Sequence, residues 1–348
     1  MRLEPRAHPP LWLMAGAPAA AVLAALALAA VPLRLAGADL TGAYRQMAVA
    51  SFGSWFALAE TLTRATPLIL TGLAVAVAFR ARLWNIGAEG QLYLGAIVPV
   101  ALGSGGVPLP APLLLPLVLL AAATAGALFM LGPTLLKVRL GVDEVVTTLL
   151  LNFVALLLVG LLVEGAMQDP MSMGWPQSAP VVAEAGLPKL IARTRLHAGL
   201  LVALTAAVLV WLYLDRTVWG LEIQAVGSNA RAAAYAGMPV SAVLIRAGML
   251  SGALAGLAGA GEVAGLKGYL TQDLSPGFGY TGIVVAMLAQ LQPLAVVPAA
   301  IFVAGVFVGA DSMSRTAGVP SYIADLVVAL SLLTMLLAGL VTRYRLRR

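Results

Sequence analysis

Arg80-Ala-Arg-Leu-Trp-Asn-Ile-Gly-Ala-Glu-Gly-Gln-Leu-Tyr-Leu-Gly95 lies between two apolar runs. It sets two amides, Asn85 and Gln91, and one carboxylate, Glu89, among Gly87, Gly90 and Gly95, residues that interrupt helices. Such groups at a break between membrane-buried segments are costly unless something polar passes there or the broken backbone needs partners. The stretch therefore reads as an interrupted membrane helix on a transport path.

The rest of the chain identifies the solvent. Hydrophobic residues make up 61% of the 348 and charged residues 10%, whereas soluble domains are about a quarter charged. This is the composition of a polytopic membrane protein. There is no cysteine, which excludes disulfides and thiolate metal sites, and the two histidines, His8 and His197, lie far apart in sequence, so no metal site is expected. The net charge of +6 comes from short basic clusters between apolar runs. Those clusters follow membrane topology, so the expected partner is lipid and not nucleic acid.

Apolar runs of roughly 17–25 residues give about ten spans, at 11–35, 62–80, 90–104, 113–136, 144–163, 197–214, 240–262, 278–292, 293–312 and 321–342. The expected fold is an all-α integral membrane protein, a single transmembrane domain over 1–348 with broken or re-entrant segments. Alternating the loops puts Arg80, Arg82, Lys137, Arg139, Arg216, Arg231 and Arg343 to Arg348 on one face. That face is cytoplasmic by the positive-inside rule. Residues 1–10, 215–239 and 343–348 are then cytoplasmic, and 164–196, rich in proline, reads either as an ordered extracytoplasmic cap with room for a soluble partner or as a passive connector. The N-terminus competes as a signal peptide, with Ala36-Gly37-Ala38 as its cleavage site. The apolar run Leu11 to Leu35 is longer than a usual signal core, which favours a retained first span.

Other polar residues read as structural. Asp143 and Glu144 can cap the span that follows them, and Asn152, two turns further in, needs a neighbouring helix or a solute as partner. Glu262 with Lys267 and Asp311 with Arg315 are spaced for pairs along one helix. Gly248, Gly252, Gly256, Gly261 and Gly265 suit close helix packing. Glu89 can accept N–H bonds from the broken backbone or touch a solute directly. Asn85, Gln91, Asn152 and Gln290 suit a solute rich in hydroxyls and ring nitrogens, and Trp84, Phe278 and Tyr280 offer faces for stacking.

In the segment Asp215 to Pro239, Ser228 or Asn229 can cap a helix from Ala230 to Ala236, with Gly237 as its stop. Two turns of helix are marginal alone in water, so this one is expected to dock on a partner. Gly-x-x-x-x-Gly-Lys-[Ser/Thr] is absent, and Gly259-Ala-Gly-Glu-Val-Ala264 follows an apolar helix and not a strand, so neither nucleotide motif is present. No nucleophile or metal constellation supports an enzyme. The residues alone leave open a proton-coupled secondary transporter with Glu89 as carrier.

Four segments narrow this further: Asn85-Ile-Gly-Ala-Glu-Gly-Gln91, Gly141-Val-Asp-Glu-Val-Val-Thr-Thr-Leu-Leu-Leu-Asn152, Gly227-Ser-Asn-Ala-Arg-Ala-Ala-Ala-Tyr-Ala-Gly237 and Gly277-Phe-Gly-Tyr-Thr-Gly-Ile283. Together, and in this order over nearly the whole chain, they resemble permease subunits of bacterial ABC importers. The chain is most similar to the branch for nucleosides and simple sugars, which is related to the ribose and branched-chain amino acid permeases, and a branched-chain amino acid is the alternative substrate. The resemblance implies a non-catalytic, multi-pass subunit of the bacterial inner membrane, with three partners. These are an ABC ATPase subunit holding ATP and Mg, a second, paralogous permease, and a periplasmic or lipid-anchored binding protein; no cofactor belongs to this chain. It also implies that Gly227, Ser228, Asn229, Ala230, Arg231, Ala233, Ala234 and Gly237 couple to the ATPase. Asn85, Glu89, Gln91, Asn152, Phe278 and Tyr280 are the expected substrate path.

Overall fold

The structure, a computed structural model, describes residues 2–5, 11–35, 37, 39–107, 109–317 and 321–347. Among these, the fold is helical apart from one antiparallel strand pair, Arg2–Pro5 with Tyr344–Arg347. Among the described residues, six helices are long and apolar enough to cross a bilayer, including Trp55–Arg80, Ala111–Leu140 and Glu144–Val163. The chain forms two compact units, Met1–Arg64 with Ile301–Arg348, and Ala65–Ala300.

The first unit contains α1 (Leu11–Leu35), α2 (Leu40–Phe52), the start of α3 (Trp55–Arg80), the end of α12 (Pro293–Ala317) and α13 (Ser321–Arg343). Ala29 and Leu33 of α1 pack with Ala43, Ala310, Met313, Val327 and Val328. Apolar periodicity alone does not reveal α2, whose surface is mixed; it starts where the Asp39 carboxylate accepts the amides of Thr41 and Gly42. The helix α3 begins at Trp55 and not near 62, because its early charges are accommodated. Arg64 pairs with Asp311 at 2.7 Å and lies over the Phe307 ring. This corrects the expected Asp311–Arg315 pair: an interhelical partner neutralises Asp311 within the unit, while Arg315 lies exposed a turn further on.

The second unit contains the rest of α3, α4 (Ala88–Gly103), α5 (Ala111–Leu140), α6 (Glu144–Val163), α7 (Gly199–Arg216), α8 (Val218–Ser228), α9 (Ala230–Tyr235), α10 (Val240–Gly261) and α11 (Phe278–Leu288). Backbones touch where α10 crosses α4 and α5. A Cβ on Gly95 would lie 2.0 Å from the Gly256 carbonyl oxygen, and one on Gly126 2.1 Å from that of Gly252. Helix contact at this range is the expected use of Gly252 and Gly256; Gly261, by contrast, faces open space.

After α10 the helix widens into a π turn, Glu262–Lys267. The segment 164–198 is hydrogen-bonded along it, with Leu187 N donating to Ala264 O at 2.8 Å, Val181 N to Gly268 O at 2.7 Å and Ser178 N to Leu270 O at 2.9 Å. Lys267 donates to the Asp273 carbonyl at 3.1 Å.

Two boundaries differ from expectation in a consequential way. The run 278–292 is not one span, because α11 has 11 residues, about 16 Å of rise against a hydrocarbon core of roughly 30 Å. It ends in a turn in which Gln290 and Leu291 take φ of 51° and 60°. Similarly, α7 starts at Gly199, which leaves His197 outside the helix.

Candidate functional site

The break between α3 and α4 is held by one face of α6. Glu144 Oε1 accepts from Trp84 N at 3.1 Å, and Thr148 Oγ1 accepts from Ile86 N at 3.3 Å. Asn152 Oδ1 accepts from Gly90 N at 2.8 Å, while its Nδ2 donates to Ile86 O at 3.0 Å. The three residues are spaced by four, so one helical stripe reaches Trp84, Ile86 and Gly90 of the break. Glu144 also pairs with Lys137, and Asp143 caps α6 through the amides of Val145 and Val146. Asp143 thus caps the helix as expected, whereas the Glu144 carboxylate is turned to Trp84 and Lys137.

Asn85 and Gln91 face each other. Asn85 Nδ2 donates to Gln91 Oε1 and to Ser251 Oγ, each at 2.9 Å, and its Oδ1 accepts from Gln91 Nε2 and Gly87 N, also at 2.9 Å. Ser251 in turn donates to Ala74 O at 2.6 Å. Both amides are fully buried, and Asn85 has used all its donors and acceptors. In this conformation the pair joins α3, α4 and α10.

Glu89 links two helix starts. It lies in the first turn of α4, and its Oε2 accepts from Gly279 N at 2.6 Å, in the first turn of α11. The Ser275 side chain and the backbone of Gly277 and Tyr280 lie beside the same carboxylate. Ser275 Oγ accepts from Phe278 N at 2.9 Å. The orphan amides of a half-length helix are thereby satisfied, and a carboxylate sits where two positive helix ends meet.

Around this junction, Phe278 is buried, and its carbonyl accepts from Thr71 Oγ1 at 3.0 Å. Tyr280 is 40% exposed and its hydroxyl accepts from Asn152 Nδ2 at 3.0 Å, so among the six expected path residues it combines open surface with a polar tip. Trp84, 44% exposed, stacks edge-on against Phe79. Gln290 lies at the opposite end of α11 and does not join them. Tyr93, unremarked in the sequence, donates to Gln272 O at 2.6 Å and accepts from Ser275 N at 3.3 Å. It positions the loop before α11; only its place two residues after Gln91 hinted at a role.

The segment 215–239 holds two helices. The first, α8, was unforeseen; the Thr217 hydroxyl caps it by accepting from Gly220 N at 3.2 Å. Gly227 and Ser228 close it, and Asn229 caps α9 by accepting from Ala232 N at 3.0 Å. The second helix ends at Tyr235, and Gly237 turns with φ 81°. Ala233 is buried against the chain itself, while Ala230, Arg231 and Ala234 are exposed, as is Tyr235 at 96%.

Apolar helices joined at a hydrogen-bonded break define a membrane transport protein. Residues 57–339 match the family described as "Branched-chain amino acid transport system / permease component", and the chain belongs to it. It is 40% identical to a glucose ABC transporter permease of Haloferax volcanii over 99% of this chain and 93% of that protein. It is 37% identical to a guanosine ABC transporter permease of Bacillus subtilis, covering 91% of each. A nucleoside ABC transporter permease of Lactococcus lactis is 31% identical over 90% of this chain and 88% of that protein. No solved structure matches the chain. The chain is therefore the permease subunit of an ABC transporter, a transport component and not an enzyme.

Proposed function

We propose that this permease imports a nucleoside or a simple sugar, handed over by a soluble or lipid-anchored binding protein. It works beside a second, paralogous permease, and an ABC ATPase bearing ATP and Mg docks on Gly227 to Gly237. Its place is a cytoplasmic membrane, with both termini on the ATPase side. The substrate class rests on the relatives for glucose, guanosine and nucleosides at 31 to 40% identity over nine-tenths or more of this chain. Residue chemistry agrees: a substrate passing Tyr280 meets a phenol, held in place by the buried Asn152 amide, a group suited to hydroxyls and ring nitrogens and not to a full charge. Asn85, Glu89 and Gln91 then support the path from beneath.

The assembled transporter in proteoliposomes, supplied with its binding protein and ATP, tests this. Labelled guanosine or glucose should accumulate, and unlabelled leucine should not compete. Accumulation of leucine alone would place the chain with the amino acid permeases.

A further inference from the structure

Arg80 ends α3, a position from which an arginine usually extends its charge into water. Here its side chain is only 9% exposed. Nη1 donates to Asp215 Oδ1 at the end of α7 at 2.9 Å, Nε to Leu291 O at 2.9 Å, and Nη2 to Gln292 Oε1 at 2.8 Å. The rigid guanidinium fork thus holds two segments far apart in sequence.

The backbone of the same residue bears a third. A Cβ on Gly227 would lie 1.9 Å from Arg80 O, so only glycine lets the end of α8 rest on that carbonyl. Two residues later Asn229 caps α9. The turn gripped by the guanidinium is strained, with Gln290 and Leu291 consecutively left-handed although neither is glycine. Such backbone persists only where its surroundings hold it. Two of the three Arg80 side-chain bonds do so. Beyond the turn runs α11, whose far end starts on Glu89.

We infer that Arg80 is a positioning residue of the transport cycle, tying the ATPase-docking segment to α11 and through it to the break at Glu89. A shift of α8 moves the Arg80 carbonyl, the guanidinium carries it to the 289–292 turn, and an 11-residue helix delivers it to Gly279. The inference rests on the proposed docking of the ATPase at α9, and its test separates the two.

The assembled transporter is compared in three forms: wild type, Arg80→Lys and Leu291→Gly, each also carrying Ala230→Cys for crosslinking to the ATPase. Lysine keeps the charge but loses the fork; glycine keeps Arg80 and removes the strain. In both variants we expect the wild-type crosslink yield and basal ATP hydrolysis, with substrate imported per ATP reduced roughly threefold to thirtyfold, the range for residues that touch neither ligand. Leu291→Gly should melt no lower than wild type, which separates lost transmission from lost folding. If Arg80→Lys does not assemble, Leu291→Gly decides. Wild-type import per ATP in an assembled, crosslinking variant overturns the link. Absence of the crosslink in the form with native Arg80 and Leu291 overturns the docking reading, and the link with it.

Discussion

Glu89 is where the chemistry of single residues is most exposed to test. As the acceptor for amides at the start of α11, its shape counts for more than its proton. Glu89→Gln keeps an accepting oxygen and loses the charge-assisted part of the bonds, about 1 kcal/mol; we expect folded protein with partial uptake. Glu89→Ala leaves buried amides unpaired, at about 1–3 kcal/mol each, and should lower membrane abundance and melting temperature. A well-folded glutamine variant that exchanges substrate but has lost ATP-driven uptake would instead make Glu89 a proton carrier. A second residue governs acid stability. His197 lies outside α7 and is fully buried, and burial pushes it down to about 4 from 6.5. The folded protein holds it neutral, so its contribution is complete above about pH 6.5 and is lost as pH falls towards about 4, at about 1.4 kcal/mol per pH unit. The melting temperature should drop across that window in wild type and drop less in His197→Leu; equal slopes would contradict this. In the sequence, Asn85, Glu89, Gln91 and Asn152 stood out because polar groups among glycines in an apolar chain need partners. Ser251, Ser275 and Thr148 did not, since hydroxyls are common in membrane helices and their partners lie up to 177 residues away.

Elements repeat that contrast between local signals and distant ones. The cap, short helix and glycine stop of α9 were legible because each is local chemistry. The length of α11 was not: hydropathy runs on through Leu291 and Leu294, while the left-handed turn at Gln290 and Leu291 has no glycine to mark it. Glycines in α10 were legible as contacts, though not the partners that they meet. Gly259→Leu should be severe, because even a Cβ there would sit 1.9 Å from Leu92 O; overpacking of this kind costs about 1–3 kcal/mol or more, readable as a lowered melting temperature. Gly261→Ala, which faces open space, is the control and should be neutral. On α9, Ala234→Glu adds bulk and charge to an exposed position, whereas Ala233 is buried in the chain's own packing. With Ala234→Glu the protein should fold and bind its soluble partner, while uptake per ATP falls by about tenfold, a change of about 1.4 kcal/mol. Uptake at the wild-type rate would remove α9 from the coupling path.

For the whole molecule, arginine and lysine placement sets the expected orientation, and two cysteines check it. Met173, fully exposed in the 164–198 segment, should as Met173→Cys react with an impermeant thiol reagent from outside; Ser228→Cys should react only once the membrane is opened. Reversed labelling would invert the topology. The energy source bears most directly on the function, because a broken membrane helix with a buried carboxylate serves proton-driven and ATP-driven transporters alike. The deciding measurement is substrate uptake into proteoliposomes holding the complete transporter, with ATP and an imposed proton gradient supplied separately, each with and without an ionophore. We expect uptake to require ATP, to be unchanged by the ionophore, and to be absent with the gradient alone. Uptake that follows the gradient without ATP, and collapses with the ionophore, would contradict ATP-driven import through this permease.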